Sequence, residues 1–307
     1  MDAMTQLGLG LAALGRPEYL TIGHSEAVDG RFEPAALEQL CHAVLDTAWE
    51  RGIRHIDAAR SYGSAERFLG SWLSRHPGRR EQLVIGSKWG YAYVADFQQG
   101  APVHEVKDHS VARLAEQWPQ TLRELGVEPD HYLIHSVTPD SPALHDTALL
   151  DDLRALAEGG TRIGISTSGP RQADVVRAAL EIEVFSSVQS TWNPLEPSVG
   201  PALALAHDAG WFVVVKEAMA NGRLVAEQSE LARIADAAEI GRDALALAIA
   251  LAQPWADVVL SGAATEAQLE QNLAAPTVDP ELITAIEADL AESPDRYWEN
   301  RSALAWT

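Results

Sequence analysis

The feature that most constrains this sequence is an alternation. Eight short apolar runs recur along it: 7–11 (LGLGL), 55–59 (HIDAA), 83–88 (LVIGSK), 131–136 (HYLIHS), 162–168 (RIGISTS), 185–190 (FSSVQS), 212–216 (FVVVK) and 258–262 (VVLSG). Each is a short, continuous run, the pattern of a parallel strand buried on both faces. Between the runs, apolar residues recur at i, i+3 and i+4. In 34–51, Leu37, Leu40, Cys41, Val44, Leu45 and Ala48 form such a stripe, and Pro34 suits a first helical position. The segments 65–74, 110–124, 142–158, 171–180, 201–209 and 266–274 also read as helices. Asp140-Ser141-Pro142 and Thr265 with Gln268 read as helix starts. Helices at 229–238 and 243–253 fall before the eighth run, and another at 280–291 follows the last unit.

Eight strand–helix units predict an α/β fold, a (β/α)8 TIM barrel with extra helices before the eighth strand and at the C-terminus. A doubly wound open sheet is the rival. It would place a glycine-rich turn after its first strand. Here Gly8 and Gly10 lie inside the run, and a long loop over 14–33 follows. No linker or shift in composition divides the chain, so residues 1–307 are expected to form a single barrel domain.

Charge narrows the partners. The 44 Asp and Glu outnumber the 23 Lys and Arg, giving −21 at pH 7. Such a surface repels nucleic-acid backbones and anionic membranes. A helix start can still hold a small anion, so a nucleotide remains possible. Cys41 is the only cysteine, which excludes an internal disulfide. The start, MDAMTQLGLG, lacks the pattern of a signal peptide, and no run approaches the ~18 apolar residues of a membrane span. A cytoplasmic protein, monomeric or weakly self-associating, is expected.

Barrel enzymes carry their chemistry at the C-terminal ends of the strands. The second run delivers Asp57, with Tyr62 in the loop beyond it, the third Lys88 and the fourth His135. The fifth delivers Ser166, the sixth Gln189 and the seventh Lys216. Taken singly, Asp57 and Lys88 could be a rim ion pair, Tyr62 a packed loop ring and His135 a core histidine. Together, a carboxylate, an amine, an imidazole and a phenol at one mouth suit protonation of a developing alkoxide. A neighbouring ammonium stabilises a phenolate and lowers the phenol's pKa, and a histidine can hold a carbonyl oxygen in place. No serine or cysteine nucleophile stands beside a base. No HExxH or close His/Asp set suggests a metal site.

These residues resemble the aldo-keto reductase family. RGIRHIDAARSYGSAERFLG is similar to its G-x-x-x-x-D-T-A-x-x-Y-G-x-E-x-x-L-G signature, with Ala58 in the usual threonine's place. IGSKWG and DHYLIHS match its lysine and histidine strands. The resemblance implies Tyr62 as acid–base, Lys88 and Asp57 as its tuners, and His135 as the substrate-orienting group. IGISTSG, SVQSTWNPLEP and ATEAQLEQNLAA are similar to its cofactor-side motifs, with Thr167 where asparagine is usual. That similarity implies a cofactor cradle of Ser166, Gln189, Lys216, Arg223, Gly262, Thr265, Gln268 and Asn272.

Three departures stand out. Lys216 occupies the place of the aromatic that stacks on the nicotinamide, so it reaches either solvent, an acid in the mouth, or the cofactor itself. Residues 257–275 contain no Lys or Arg, and Gln268 stands where NADPH-specific members often carry arginine. NADP(H) is therefore expected over NAD(H), with a modest preference; Gln268 also reads as merely the capping partner of Thr265. Finally, only six residues precede the first run, so the hairpin that plugs the barrel floor in many members is expected to be absent or short.

The expected activity is NAD(P)(H)-dependent reduction of a small aldehyde or ketone to an alcohol, or the reverse. Trp89, Tyr91 and His109, with Tyr93, Trp298 and Trp306, are expected pocket walls, unless they only cover the rim. An NAD-dependent sugar dehydrogenase of the same superfamily is one alternative. A redox-sensing regulatory subunit that binds cofactor, like the potassium-channel β subunits, is another.

Overall fold

The computed structural model describes residues 6–24, 30 and 33–306. The expectation about an N-terminal hairpin falls on residues 1–5, outside those described.

Eight parallel strands close into a barrel: β1 (Leu7–Gly10), β2 (His55–Asp57), β3 (Val84–Trp89), β6 (His131–Val137), β7 (Arg162–Thr167), β8 (Ser187–Thr191), β9 (Phe212–Lys216) and β10 (Val258–Ser261). β1 pairs with both β2 and β10, which closes the ring. The barrel helices are α1 (Pro34–Glu50), α2 (Ala65–Arg75), α3 (Val111–Leu125), α4 (Thr147–Glu158), α5 (Gln172–Leu180), α6 (Gly200–Asp208) and α9 (Glu266–Leu273). The extra helices are α7 (Glu230–Ala237) and α8 (Arg242–Leu251) before β10, then α10 (Pro280–Leu290) and α11 (Pro294–Ser302). α1 buries Leu37, Cys41, Val44, Leu45 and Ala48, which is the stripe its sequence shows.

The barrel interior is filled from the strands. Near the N-terminal ends, His55, His131 and Phe212 meet ring against ring, with centroids 4.6–6.0 Å apart, although they come from three strands that do not pair with one another. Val214, Val258 and Leu260 form an apolar cluster with Phe212. A Cβ at Gly8 would lie 2.8 Å from a Val258 methyl and 2.9 Å from a Leu260 methyl, so a larger residue there would have to push those side chains aside.

Four local expectations are corrected. The loop 89–109 contains a hairpin of β4 (Tyr91–Tyr93) and β5 (Glu105–Lys107), whose half-exposed strands are too short to show a period. The segment 142–158 divides: Ser141 caps a single 3-10 turn over 142–144, and Asp146 caps α4. The sixth strand is shifted, with Phe185 preceding β8 rather than opening it. α11 was not foreseen because its sequence, PDRYWENRS, is strongly polar and shows no apolar stripe.

Candidate active site

Period-two alternation decides which side chains reach the barrel's axis. On β3, Lys88 points inward and is fully buried. Its Nζ donates to Asp57 Oδ2 at 2.6 Å and to the Ala58 carbonyl at 2.8 Å. The other Asp57 oxygen accepts from Gln189 Nε2 at 2.9 Å. Three strands are thus tied by one carboxylate. Burial pulls the Lys88 ammonium below its ordinary value, and Asp57 opposes that pull.

Tyr62, His135 and Tyr91 line a cavity of about 340 Å³ at the strands' C-terminal ends. The Tyr62 and His135 rings meet edge to face at 5.5 Å, and Tyr91 packs on His135 at 5.1 Å. Ser61 Oγ lies 3.4 Å from His135 Nδ1. Burial, reinforced by the cations of Lys88, Lys216 and Arg16, holds this imidazole well below 6.5, so it is neutral at pH 7. Burial also pushes the Tyr62 phenol well above 10, and Asp57 adds to the shift. Lys88, expected to lower the phenol's pKa, does not bring it below its ordinary value against that burial. Lys88 Nζ lies 4.6 Å from the ring centroid, and the cation that chiefly counters the rise is Arg16.

Arg16 escaped the sequence reading because a lone arginine in a long loop carries no periodic signal. It is 2% exposed. Its guanidinium bonds the Ser61 carbonyl at 2.9 Å and Glu105 at 2.6 Å, and it lies over the rings of Tyr19, Tyr62 and Trp306. Glu217, also unforeseen, takes a left-handed backbone with φ +58°. Arg301 grips its carboxylate as a fork, Thr191 Oγ1 donates to it at 3.0 Å, and burial's upward push is overcome so that it sits at about 2.

The same cavity is lined by Gln189, Lys216, Asn221, Gly262, Gln268 and Asn272. Among the described residues, the buried oxygens Gln189 Oε1, Asn221 Oδ1 and Asn272 Oδ1 have no hydrogen-bond partner. Three orphaned acceptors on one wall fit a ligand with amide, amino or hydroxyl donors. A Cβ at Gly262 would meet nothing within 4 Å, which leaves that wall open. Thr265 and Gln268 form a cap: Thr265 Oγ1 accepts from the Gln268 N–H at 3.1 Å, and Gln268 Oε1 from the Ala264 N–H at 2.9 Å. Thr265 itself does not line the cavity. Nor does Ser166, which is fully buried and accepts from the Ser136 N–H at 3.3 Å; Ser168 lines the wall instead.

Four further expected site residues stand elsewhere. Trp89 follows Lys88 on β3, so alternation turns it away from the axis, and it is fully buried in the core. His109 is a structural clasp rather than a pocket wall. Its Nε2 is 2.8 Å from the His135 carbonyl oxygen and its Nδ1 is 2.6 Å from Ser141 Oγ. Arg223 pairs with Glu292 at 2.6 Å and does not line the cavity. Trp298 is likewise buried off the cavity, whereas Tyr91 and Trp306 line it.

The aldo/keto reductase family model matches residues 6–289. An aldo-keto reductase of Gibberella moniliformis is 31% identical over 156 residues, covering 50% of this chain and 43% of that protein. The match thus spans under half the length of this curated relative. Among solved structures, the glycerol dehydrogenase of Gluconobacter oxydans superposes with a TM-score of 0.71 at 19% identity, covering 94% of this chain and 96% of that one. The holo form of an aldo-keto reductase from Bacillus halodurans superposes with a TM-score of 0.69 at 21% identity, covering 94% and 92%. At these identities the superpositions speak to the fold alone.

Proposed function

This chain belongs to the aldo/keto reductase family, and we propose that it is an NAD(P)(H)-dependent oxidoreductase that interconverts a small aldehyde or ketone and its alcohol. One observation carries the reading. A phenol, a neutral imidazole and the carboxylate that holds the buried Lys88 ammonium open on the same cavity as three orphaned acceptors.

Members of this family use nicotinamide cofactors, and a bound cofactor supplies the hydride. Gln189 Oε1, Asn221 Oδ1 and Asn272 Oδ1 are suited to accept its amide and hydroxyl donors. Tyr62 donates its proton to the developing alkoxide, as a phenol held protonated at neutral pH is suited to do. His135 has its Nδ1 toward Ser61, which leaves Nε2 to hold the substrate oxygen. Arg16 faces the Tyr62 ring and stabilises the phenolate left behind. Asp57 keeps Lys88 charged behind that ring.

NADP(H) is the favoured cofactor, by about 10- to 100-fold over NAD(H), where each ~1.4 kcal/mol is tenfold. The narrow margin is supported by the absence of Lys and Arg from 257–275, by the engagement of Gln268 with Ala264, and by the pairing of Arg223 with Glu292. The N-terminus of α9 remains to favour the 2′-phosphate. Fluorescence titration with NADPH and NADH, followed by turnover on a panel of aldehydes, ketones and sugars, tests both parts. Equal affinities, or a preference beyond about a thousandfold, would overturn the cofactor assignment. Tight cofactor binding with no turnover on any carbonyl or alcohol would favour the regulatory alternative.

A further inference from the structure

The cavity carries four carboxylates, those of Asp57, Glu105, Glu217 and Asp243, and three cations, those of Arg16, Arg301 and Lys216. Arg16 is paired with Glu105 and Arg301 with Glu217. Lys216 is different. Among the described residues no carboxylate oxygen lies within ion-pair distance of its ammonium, and its Nζ donates to Thr191 Oγ1 at 3.1 Å. An ammonium has three donors. Its chain neighbour Glu217 is turned from it by the left-handed backbone and held by Arg301 and Thr191, while Asn193 Nδ2 donates to the Glu217 carbonyl at 3.0 Å. Of the three cavity cations, Lys216 alone thus lacks a direct carboxylate contact among the described residues; only the Thr191 hydroxyl links it to Glu217.

Strand order places β9 between β8 and β10, so Lys216 stands between Gln189 and the Ser261–Gly262 turn. A ligand that reaches both the orphaned Gln189 oxygen and the open wall at Gly262 must pass the end of β9. We infer that Lys216 is the anion-receiving group of this cavity, its ammonium meeting a phosphate or carboxylate of the bound ligand. The inference rests on the proposed function for its setting. The anion has two possible sources, the cofactor's pyrophosphate or a carboxylate on the substrate.

The ammonium is poised to report its own occupancy. Burial draws Lys216 down to about 8. Glu217 and Asp57 act upward, and Arg301 and Lys88 act downward. His135 and Arg16 face it across the mouth, and His135 is neutral throughout the range concerned. An anion stabilises the protonated form and raises the pKa. Affinity is therefore greatest below pH 8 and falls as pH rises through it. Binding near pH 8.5 takes up a proton.

The test is calorimetric, in buffers of differing ionisation enthalpy. ADP-ribose probes the pyrophosphate, and oxamate, titrated with NADP+ present, probes the carboxylate. Wild-type protein is expected to take up a fraction of a proton with one of them at pH 8.5. Lys216→Met should bind that probe about ten- to a hundredfold more weakly, as loss of a charged hydrogen bond requires, and without uptake. Lys216→Arg should keep its affinity at pH 9.5, where the wild type has lost it. An effect confined to ADP-ribose assigns the anion to the cofactor, and one confined to oxamate assigns it to the substrate. Unchanged affinity and proton uptake in Lys216→Met for both probes would overturn the inference. Failure of the wild type to bind ADP-ribose at all would count against the cofactor reading instead, and oxamate alone would then decide the role of Lys216.

Discussion

The two ends of this barrel bury ionisable groups in opposite ways. Toward the N-terminal ends of the strands, His55 and His131 sit among Phe212 and aliphatic side chains with no carboxylate in ion-pair contact among the described residues, and burial lowers them to about 4 and about 3. At the C-terminal mouth, Lys88 faces Asp57, Arg16 faces Glu105 and Arg301 faces Glu217. The floor histidines surrender their charge to the low dielectric, whereas a facing partner lets the paired groups of the mouth keep theirs. The floor therefore holds shape, and the mouth holds charge fixed in place before any substrate arrives.

The largest expected effect breaks the mouth chemically. Tyr62→Phe should cut turnover by ~10²–10⁴-fold, the range of general acid catalysis. Cofactor affinity should remain nearly as before, since the hydroxyl is outside the orphaned acceptor set. Turnover within a few-fold of the parent would remove Tyr62 from the reaction.

The next breaks the mouth's charge balance. Glu217→Ala leaves the Arg301 guanidinium without its partner, and a buried pair cut on one side costs about 3 kcal/mol. Urea unfolding should show that loss, and adding Arg301→Met should recover part of it. If the single variant is as stable as the parent, the pair does not hold the strained Glu217 backbone.

The floor should respond to pH instead. Above pH 6.5 both histidines are neutral whether the chain is folded or not. Below it the unfolded chain takes up protons that the folded floor refuses, so stability falls from pH 6.5 toward pH 4. For His55 alone the loss between pH 7 and pH 5 is about 2 kcal/mol. His55→Phe should return about that much at pH 5 and leave turnover at pH 7 within a few-fold. A pH–stability curve with unaltered slope would show that His55 is solvated.

The smallest effect sharpens the cofactor side. Gln268→Arg adds a cation to α9 but sacrifices the bond to Ala264. The NADPH preference should widen about tenfold, the equivalent of ~1.4 kcal/mol. Paired dissociation constants would show it, and an unchanged ratio would place the 2′-phosphate elsewhere.

The sequence displays the floor and frame better than the mouth. Strands and helices announce themselves by period, and a pleat puts Asp57 and Lys88 on the axis once β2 and β3 are recognised. Trp89 was misread because a strand one residue longer than its apolar run reverses the side of its last residue. His109 looked like a pocket wall because an aromatic loop residue gives no sign of the carbonyl it clasps. Arg16, Glu105, Glu217 and Arg301 act in pairs whose members lie 89 and 84 residues apart, and no local pattern links such partners.

Those separations also order events in time. Asp57 joins Lys88 across 31 residues and Gln189 across 132. Ring closure of this kind is slow, because distant segments must meet before their contacts are rewarded. Helices can form and collapse can occur while the mouth is still in pieces. In a refolding chain, regain of activity would then mark the moment at which the eighth strand meets the first.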